Sequence, residues 1–223
     1  MPLNVLYEDN HLLAVAKPPG IAVQGAKPGE ASLWSLACED LKRRYNKPGN
    51  VYLGVVSRLD KPTSGVVVFA RTSKAAARLS EQFRDRDVDK TYWAWVSGTL
   101  RSESGELLDH LAPDPHAPKM RVVGPNAVEA KDAKLSYRVL ERLPAATLVE
   151  VQLHTGRKHQ IRVQFASRGH PIWGDEKYGS RMKLGDAIAL HAHKLVVTHP
   201  TLKTPVELYA PAPKIWARWK KTG

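Results

Sequence analysis

Cysteine occurs once, at Cys38, which excludes an internal disulfide and any zinc site built from several thiolates. Cys38 sits in an apolar-periodic stretch and reads as a small buried hydrophobe, and one cysteine fits a reducing compartment. No apolar run approaches the ~20 residues that span a bilayer. The N-terminal stretch Met1–Asp9 lacks the basic-then-apolar order of a secretory leader. The expected location is therefore the cytoplasm, away from membranes. Internal repeats and low-complexity segments are absent too. Acid is in short supply: 22 Asp and Glu stand against 34 Lys and Arg in 223 residues, a formal charge of +12. Such a field draws polyanions. Nucleic acid leads the candidates, because phosphate contacts supply most of the energy of non-specific binding.

What is present suits a globular chain. With 43% hydrophobic residues, one substantial core and a single domain over 1–223 are expected. Two regions rich in Pro and polar residues read as turns or long loops: Lys17 to Gly29, and Pro113 to Pro125. Ser32 to Tyr45 predicts a helix, with Leu33, Ala37 and Leu41 at helical spacing and Lys42, Arg43 and Arg44 at its C-terminal end. Gly65–Ala70 is a continuous apolar run and predicts a buried strand. Thr72 or Ser73 can then cap a helix carrying Ala75, Leu79 and Phe83.

Tyr92–Val96 predicts a strand with Tyr92, Ala94 and Val96 on one face and Trp93 and Trp95 on the other. Val149, Val151 and Leu153 mark a half-buried strand. Thr155-Gly156 turns the chain into a helix holding Ile161, Phe165 and Ala166, stopped at Arg168-Gly169. His191–Thr198 and Pro205–Ala210 read as strands joined by a turn. Strands in adjacent pairs as well as strands separated by helices favour an α+β fold with a mixed, largely antiparallel sheet.

Three segments gather charge at element ends. Arg58-Leu59-Asp60-Lys61 puts a carboxylate in a turn beside two cations, which local preference alone reads as a turn-forming Asp. Asp89-Lys90-Thr91-Tyr92 leads into the aromatic strand. His154 to Arg162 crowds basic residues at a helix start, where cations oppose the macrodipole; an anion held there with Arg157 and Lys158 would account for them.

Ser57-Arg58-Leu59-Asp60, with Thr63-Ser64-Gly65 after it, closely resembles the His-Arg-Leu-Asp signature of the RluA-type pseudouridine synthases. Further matches follow in that family's order: Leu12 to Gly20, Lys90 to Ala94, and Thr155 to Val163 followed by Gly169 to Asp175. The resemblance runs from about Leu6 to Pro211. It implies a mixed sheet with flanking helices and a central catalytic cleft. It also implies isomerisation of uridines in ribosomal or transfer RNA, without a cofactor or metal, by a chain expected to act as a monomer. Asp60 matches the catalytic aspartate, Tyr92 the tyrosine that packs on the target base, and Arg162 the arginine that pairs with the aspartate. Arg58 matches an arginine near the flipped nucleotide; Arg157, Lys158 and Lys61 are the remaining candidates for RNA contact. Ser57 departs from the family, which usually has His there, and because the first motif comes within the opening residues the separate N-terminal RNA-binding domain of some relatives is not expected.

Other chemistries compete. His191 and His193 share a strand face with His199 nearby, which suggests a metal site lacking a clearly spaced third ligand. A hydrolase releasing uracil would need a second carboxylate, for which Glu150 and Asp175 are candidates only by elimination. A non-catalytic RNA-binding module would explain the charge and Trp216-Ala217-Arg218-Trp219-Lys220-Lys221, whose rings could stack on bases.

Overall fold

The structure is a computed structural model that describes residues 3–26 and 29–219, without the side chain of Arg218. Met1, Pro2, Lys27 and Pro28 lie outside the described residues, as do Lys220 and Lys221 of the C-terminal aromatic stretch. The chain forms two compact units. One runs up to Asp89 and takes in Ala192–Ala212; the other is Lys90–His191 with the segment from Pro213 on.

The first unit holds β1 (Val5–Glu8), β2 (Leu12–Lys17), α1 (Leu33–Arg44), β3 (Gly54–Val55), β4 (Ser64–Ala70) and α2 (Ser73–Asp85). Every residue of β4 is buried because both of its faces are covered. Val66, Val68 and Ala70 pack with Ala75 and Leu79 of α2, whereas Val67 and Phe69 pack with Leu33, Ala37 and Leu41 of α1. Each of the Val, Leu and Phe side chains contributes roughly 1.5–3 kcal/mol by leaving water. Two-sided burial is why β4 reads as an unbroken apolar run. Both helices start where their caps lie: Ser32 accepts from the Ser35 amide in a reciprocal capping box, and Thr72 accepts from the Ala75 amide. Cys38 is half-buried against the α1 cluster, and burial raises its thiol pKa.

The second unit holds β5 (Asp89–Ser97), β6 (Ser104–Pro113), β7 (Met120–Val123), β8 (Lys131–Leu143), β9 (Ala146–Leu153), α3 (Gln160–Ala166) and a 3₁₀ turn at Glu176–Tyr178. β10 (Leu190–Thr198) begins at its end and runs on in the first unit, where β11 (Pro205–Tyr209) pairs with it; α4 (Trp216–Trp219) closes the described chain. The second unit's strand order is β5-β9-β8-β6-β7 and the first unit's is β1-β2-β4-β10. Every pairing whose register is described is antiparallel, as an α+β fold requires.

β5 alternates as its sequence predicts. Tyr92 and Ala94 stand opposite Val151 and Val149, while Trp93 and Trp95 stand opposite Glu150 and Leu148. Trp95 stacks on Trp173, and Trp219 of α4 meets both rings edge-on. Trp216, only 4% exposed, is docked on this cluster and so is not a base-stacking platform. One expectation fails: Pro113 to Pro125 is not simply a loop, because Met120–Val123 adds β7 to the edge of β6. Its four residues sit between Pro118 and Pro125, and those turn signals mask so short a strand. Among the described residues no helix is long and apolar enough to cross a membrane.

Candidate active site

In the first unit, Asp60 is half-buried in the turn that feeds β4. The Thr63 amide donates to the Asp60 carbonyl at 3.0 Å and closes that turn. What fixes it is Lys17, at the end of β2. Lys17 is 1% exposed, and its ammonium donates to the carbonyls of Pro18 (3.0 Å), Ile21 (2.7 Å) and Lys61 (3.0 Å). The Gly20 amide donates to the same Lys61 carbonyl at 2.9 Å. A buried cation thus laces the Pro18-Pro19-Gly20 loop to the Asp60 turn. Burial pushes the Lys17 pKa down to about 7, against the attraction of the Asp60 carboxylate, which favours the charged form.

Gly65 is required where the turn enters β4. Its φ is +120°, and a Cβ there would run into the backbone of Ala192. Arg58 is exposed in the same loop, and Lys61 pairs with Glu30 at 3.2 Å with both side chains in solvent.

The second unit carries the other predicted residues. Tyr92 is half-buried near the start of β5, and the Lys90 ammonium lies beside Gly156 of the basic turn. That turn differs from the expected helix start. α3 has seven residues and begins at Gln160, after His159 with φ +55°. Arg157 and Lys158 precede it. The Gln160 side chain organises the turn: its oxygen accepts from the Thr155 hydroxyl (2.8 Å) and the Arg157 amide (3.0 Å). Its nitrogen donates to the Lys134 carbonyl. The Arg157 amide is therefore already engaged, and its guanidinium Nε donates to the Asp132 carbonyl at 2.8 Å. Lys158 projects into solvent.

Arg162 is buried in α3 and forks onto Asp175, Nε to Oδ2 at 2.6 Å and Nη2 to Oδ1 at 2.8 Å. Asp175 is thus the anchor of an arginine, which removes it as the spare acid of a uracil-releasing hydrolase. Glu150 is likewise held, by Arg138 at 2.7 Å and by the Trp93 indole. The three histidines raised as metal ligands go separate ways. His191 meets the Trp216 ring, His193 Nδ1 lies 3.0 Å from the Ala210 carbonyl, and His199 pairs with Asp9 at 2.7 Å. His199 Nδ1 also accepts from the Thr201 and Leu202 amides, so its lone pair is committed.

Asp60, Arg58 and Lys61 therefore share one loop of the first unit, and Tyr92, Arg157, Lys158 and Arg162 belong to the second. Sequence reasoning missed the supports: Lys17, Gln160 and Tyr178, and Asp175 as a partner of Arg162. The available signal for Lys17 was a lone cation ending the apolar run Leu12–Ala16.

Residues 11–167 match the family described as RNA pseudouridylate synthase. The chain belongs to that family, and with it to the RNA pseudouridine synthases of the RluA type. It is 40% identical to the ribosomal large subunit pseudouridine synthase D of Xanthomonas campestris, over 96% of this chain and 67% of that protein. It is 34% identical to the dual-specificity RNA pseudouridine synthase RluA of Vibrio cholerae, over 94% of this chain and 85% of the relative. Among solved structures, human RNA pseudouridylate synthase domain containing 4 aligns with a TM-score of 0.79 at 27% identity, covering 96% of this chain and 90% of that one.

Proposed function

We propose that this enzyme converts uridines of ribosomal RNA to pseudouridine in the cytoplasm, with Asp60 as the catalytic carboxylate. The large-subunit ribosomal activity named for its Xanthomonas relative supports the substrate class. The reaction breaks C1′–N1, turns the base and joins C1′ to C5; a proton leaves C5 and one is gained at N1. The target must leave its stack to be reached, as for other enzymes acting on bases. Unstacked loops and bulges of RNA offer such targets. An ionised Asp60 can attack a sugar carbon or remove the C2′ proton as a base. Tyr92 offers a ring face for uracil and a hydroxyl for proton transfer, and Arg162 supplies the cation that the family resemblance assigns to the reaction. Arg58, Lys61, Arg157 and Lys158 contact flanking phosphates.

The observation that carries this reading is the clamped turn: a half-buried carboxylate on a loop tied through the Lys61 carbonyl to a buried ammonium, which also holds the Pro18 and Ile21 carbonyls. A turn aspartate serving only its own backbone needs no such brace. The test is Asp60→Asn, incubated with total RNA from cells lacking the gene and carrying tritium at uridine C5. Tritium release should stop while RNA affinity stays within a few-fold. Release at the wild-type rate would sink the assignment, and no release by the wild type itself would favour an RNA-binding module without catalysis.

A further inference from the structure

Arg162 is held by more than an ion pair. Its side chain is 5% exposed and that of Asp175 is 1% exposed, so the fork between them is nearly dry. Two parallel N–H···O bonds fix the plane of the guanidinium. The ring of Tyr178, from the 3₁₀ turn, lies under it with the guanidinium carbon 5.2 Å from its centroid, which fixes its height. Tyr178 is pinned at its other end: its hydroxyl accepts from the Met120 amide of β7 at 2.9 Å and lies 2.8 Å from His159 Nδ1. Gly174 sets up the fork, because its φ of +83° turns the chain just before Asp175 and a Cβ there would strike the Ala187 carbonyl.

We propose that Asp175 and Tyr178 are positioning residues for uridine isomerisation, acting through Arg162, and this rests on the reading that Arg162 serves the reaction. Stability is a poor account of the assembly. Desolvating two charges offsets most of their attraction, and apolar replacements of buried pairs are commonly as stable or more so. Orientation is what the fork and the ring add. They fix the guanidinium in plane and in height, and Tyr178 ties that setting to β7 and to the turn before α3.

The test measures single-turnover tritium release from C5-labelled total RNA of cells lacking the gene, with RNA affinity and melting temperature, for Arg162→Lys, Asp175→Asn, Tyr178→Leu and Tyr178→Phe. A displacement of the guanidinium on the order of 1 Å should slow release about 100-fold in Asp175→Asn and Tyr178→Leu, at RNA affinities within about threefold of wild type. Tyr178→Phe keeps the ring and should recover most of the rate. Combined with Arg162→Lys, neither Asp175→Asn nor Tyr178→Leu should cost more than about threefold further, since residues acting through one another are not additive. Folded Asp175→Asn or Tyr178→Leu at the wild-type rate overturns the proposal, as do losses that multiply in full with Arg162→Lys. Should Asp175→Asn fail to fold, Tyr178→Leu and its double variant decide. Wild-type rates for Arg162→Lys would instead defeat the underlying assignment of Arg162.

Discussion

Replacing Lys17 by Met tests whether burial or the carbonyl cage sets the charge of the side chain that braces the Asp60 turn. Burial lowers the Lys17 pKa from 10.5 to about 7. An unfolded chain returns it to the ordinary value, so between those two pH values the unfolded state binds a proton that the folded state does not. Stability must then rise with pH across that window, by at most about 1.4 kcal/mol per pH unit from this group. The whole shift corresponds to a ceiling of about 5 kcal/mol. The carbonyls of Pro18, Ile21 and Lys61 favour the ammonium and pull the total below that ceiling. Below pH 7 the group is protonated in both states and contributes no slope. Urea melts of wild type and Lys17→Met at pH 6, 7, 8 and 9 separate this residue from every other titration. The difference between the two proteins should be flat from pH 6 to about 7 and then shift in favour of wild type as pH rises. A constant difference from pH 6 to 9 would show that Lys17 stays charged throughout and that its carbonyl cage outweighs burial.

Gly65→Ala should destabilise by more than about 3 kcal/mol, since strain at φ +120° adds to a collision with the Ala192 backbone; thermal melting reads this directly. A loss under about 1 kcal/mol would mean that β4 can shift to make room. Arg157→Ala with Lys158→Ala should reduce the slope of log affinity against log salt by about 0.7 to 0.9 for each phosphate no longer neutralised, and an unchanged slope would remove both residues from the RNA interface. Arg162→Met with Asp175→Leu should unfold no more easily than wild type yet show no isomerase activity, whereas Asp175→Leu alone should cost about 3–5 kcal/mol by taking the forked carboxylate from a buried cation. Equal destabilisation by the single and double changes would refute that account of the pair.

Local periodicity made much of the scaffold legible. Ser32 and Thr72 announce their helices because a cap is a local hydrogen bond. The alternation of β5 is likewise visible, because one residue in two faces each way. β7 escaped notice, since its pairing with β6 is a tertiary fact that four residues between prolines cannot signal. The start of α3 was misplaced for a related reason. His159 in a left-handed conformation and the Gln160 amide delay the helix, and neither has a periodic signature. Candidate site residues were found because Asp60, Tyr92 and Arg162 stand in an ordered set of motifs along the chain. Their supports were not. Lys17 meets the Lys61 carbonyl across 44 positions, and Asp175 lies 13 from Arg162.

The two supports share a physical logic. Each places a charge where water is excluded and ties it to a separate segment: the Lys61 carbonyl, beside those of Pro18 and Ile21, at Lys17, and a carboxylate and a ring at Arg162. An apolar side chain would fill either space at less electrostatic cost. It would also pack in several arrangements, because dispersion is weakly directional. A cation with fixed donors tolerates few arrangements, since each broken bond leaves a buried polar group unsatisfied at about 1–3 kcal/mol. The Asp60 turn, and the turn at Gly174 that brings Asp175 to Arg162, have little regular structure to hold them, and steep penalties for misplacement are how an irregular segment acquires one geometry. That is why Lys17 and Arg162 are buried, while Arg58, Lys61 and Lys158, which no such geometry constrains, are exposed.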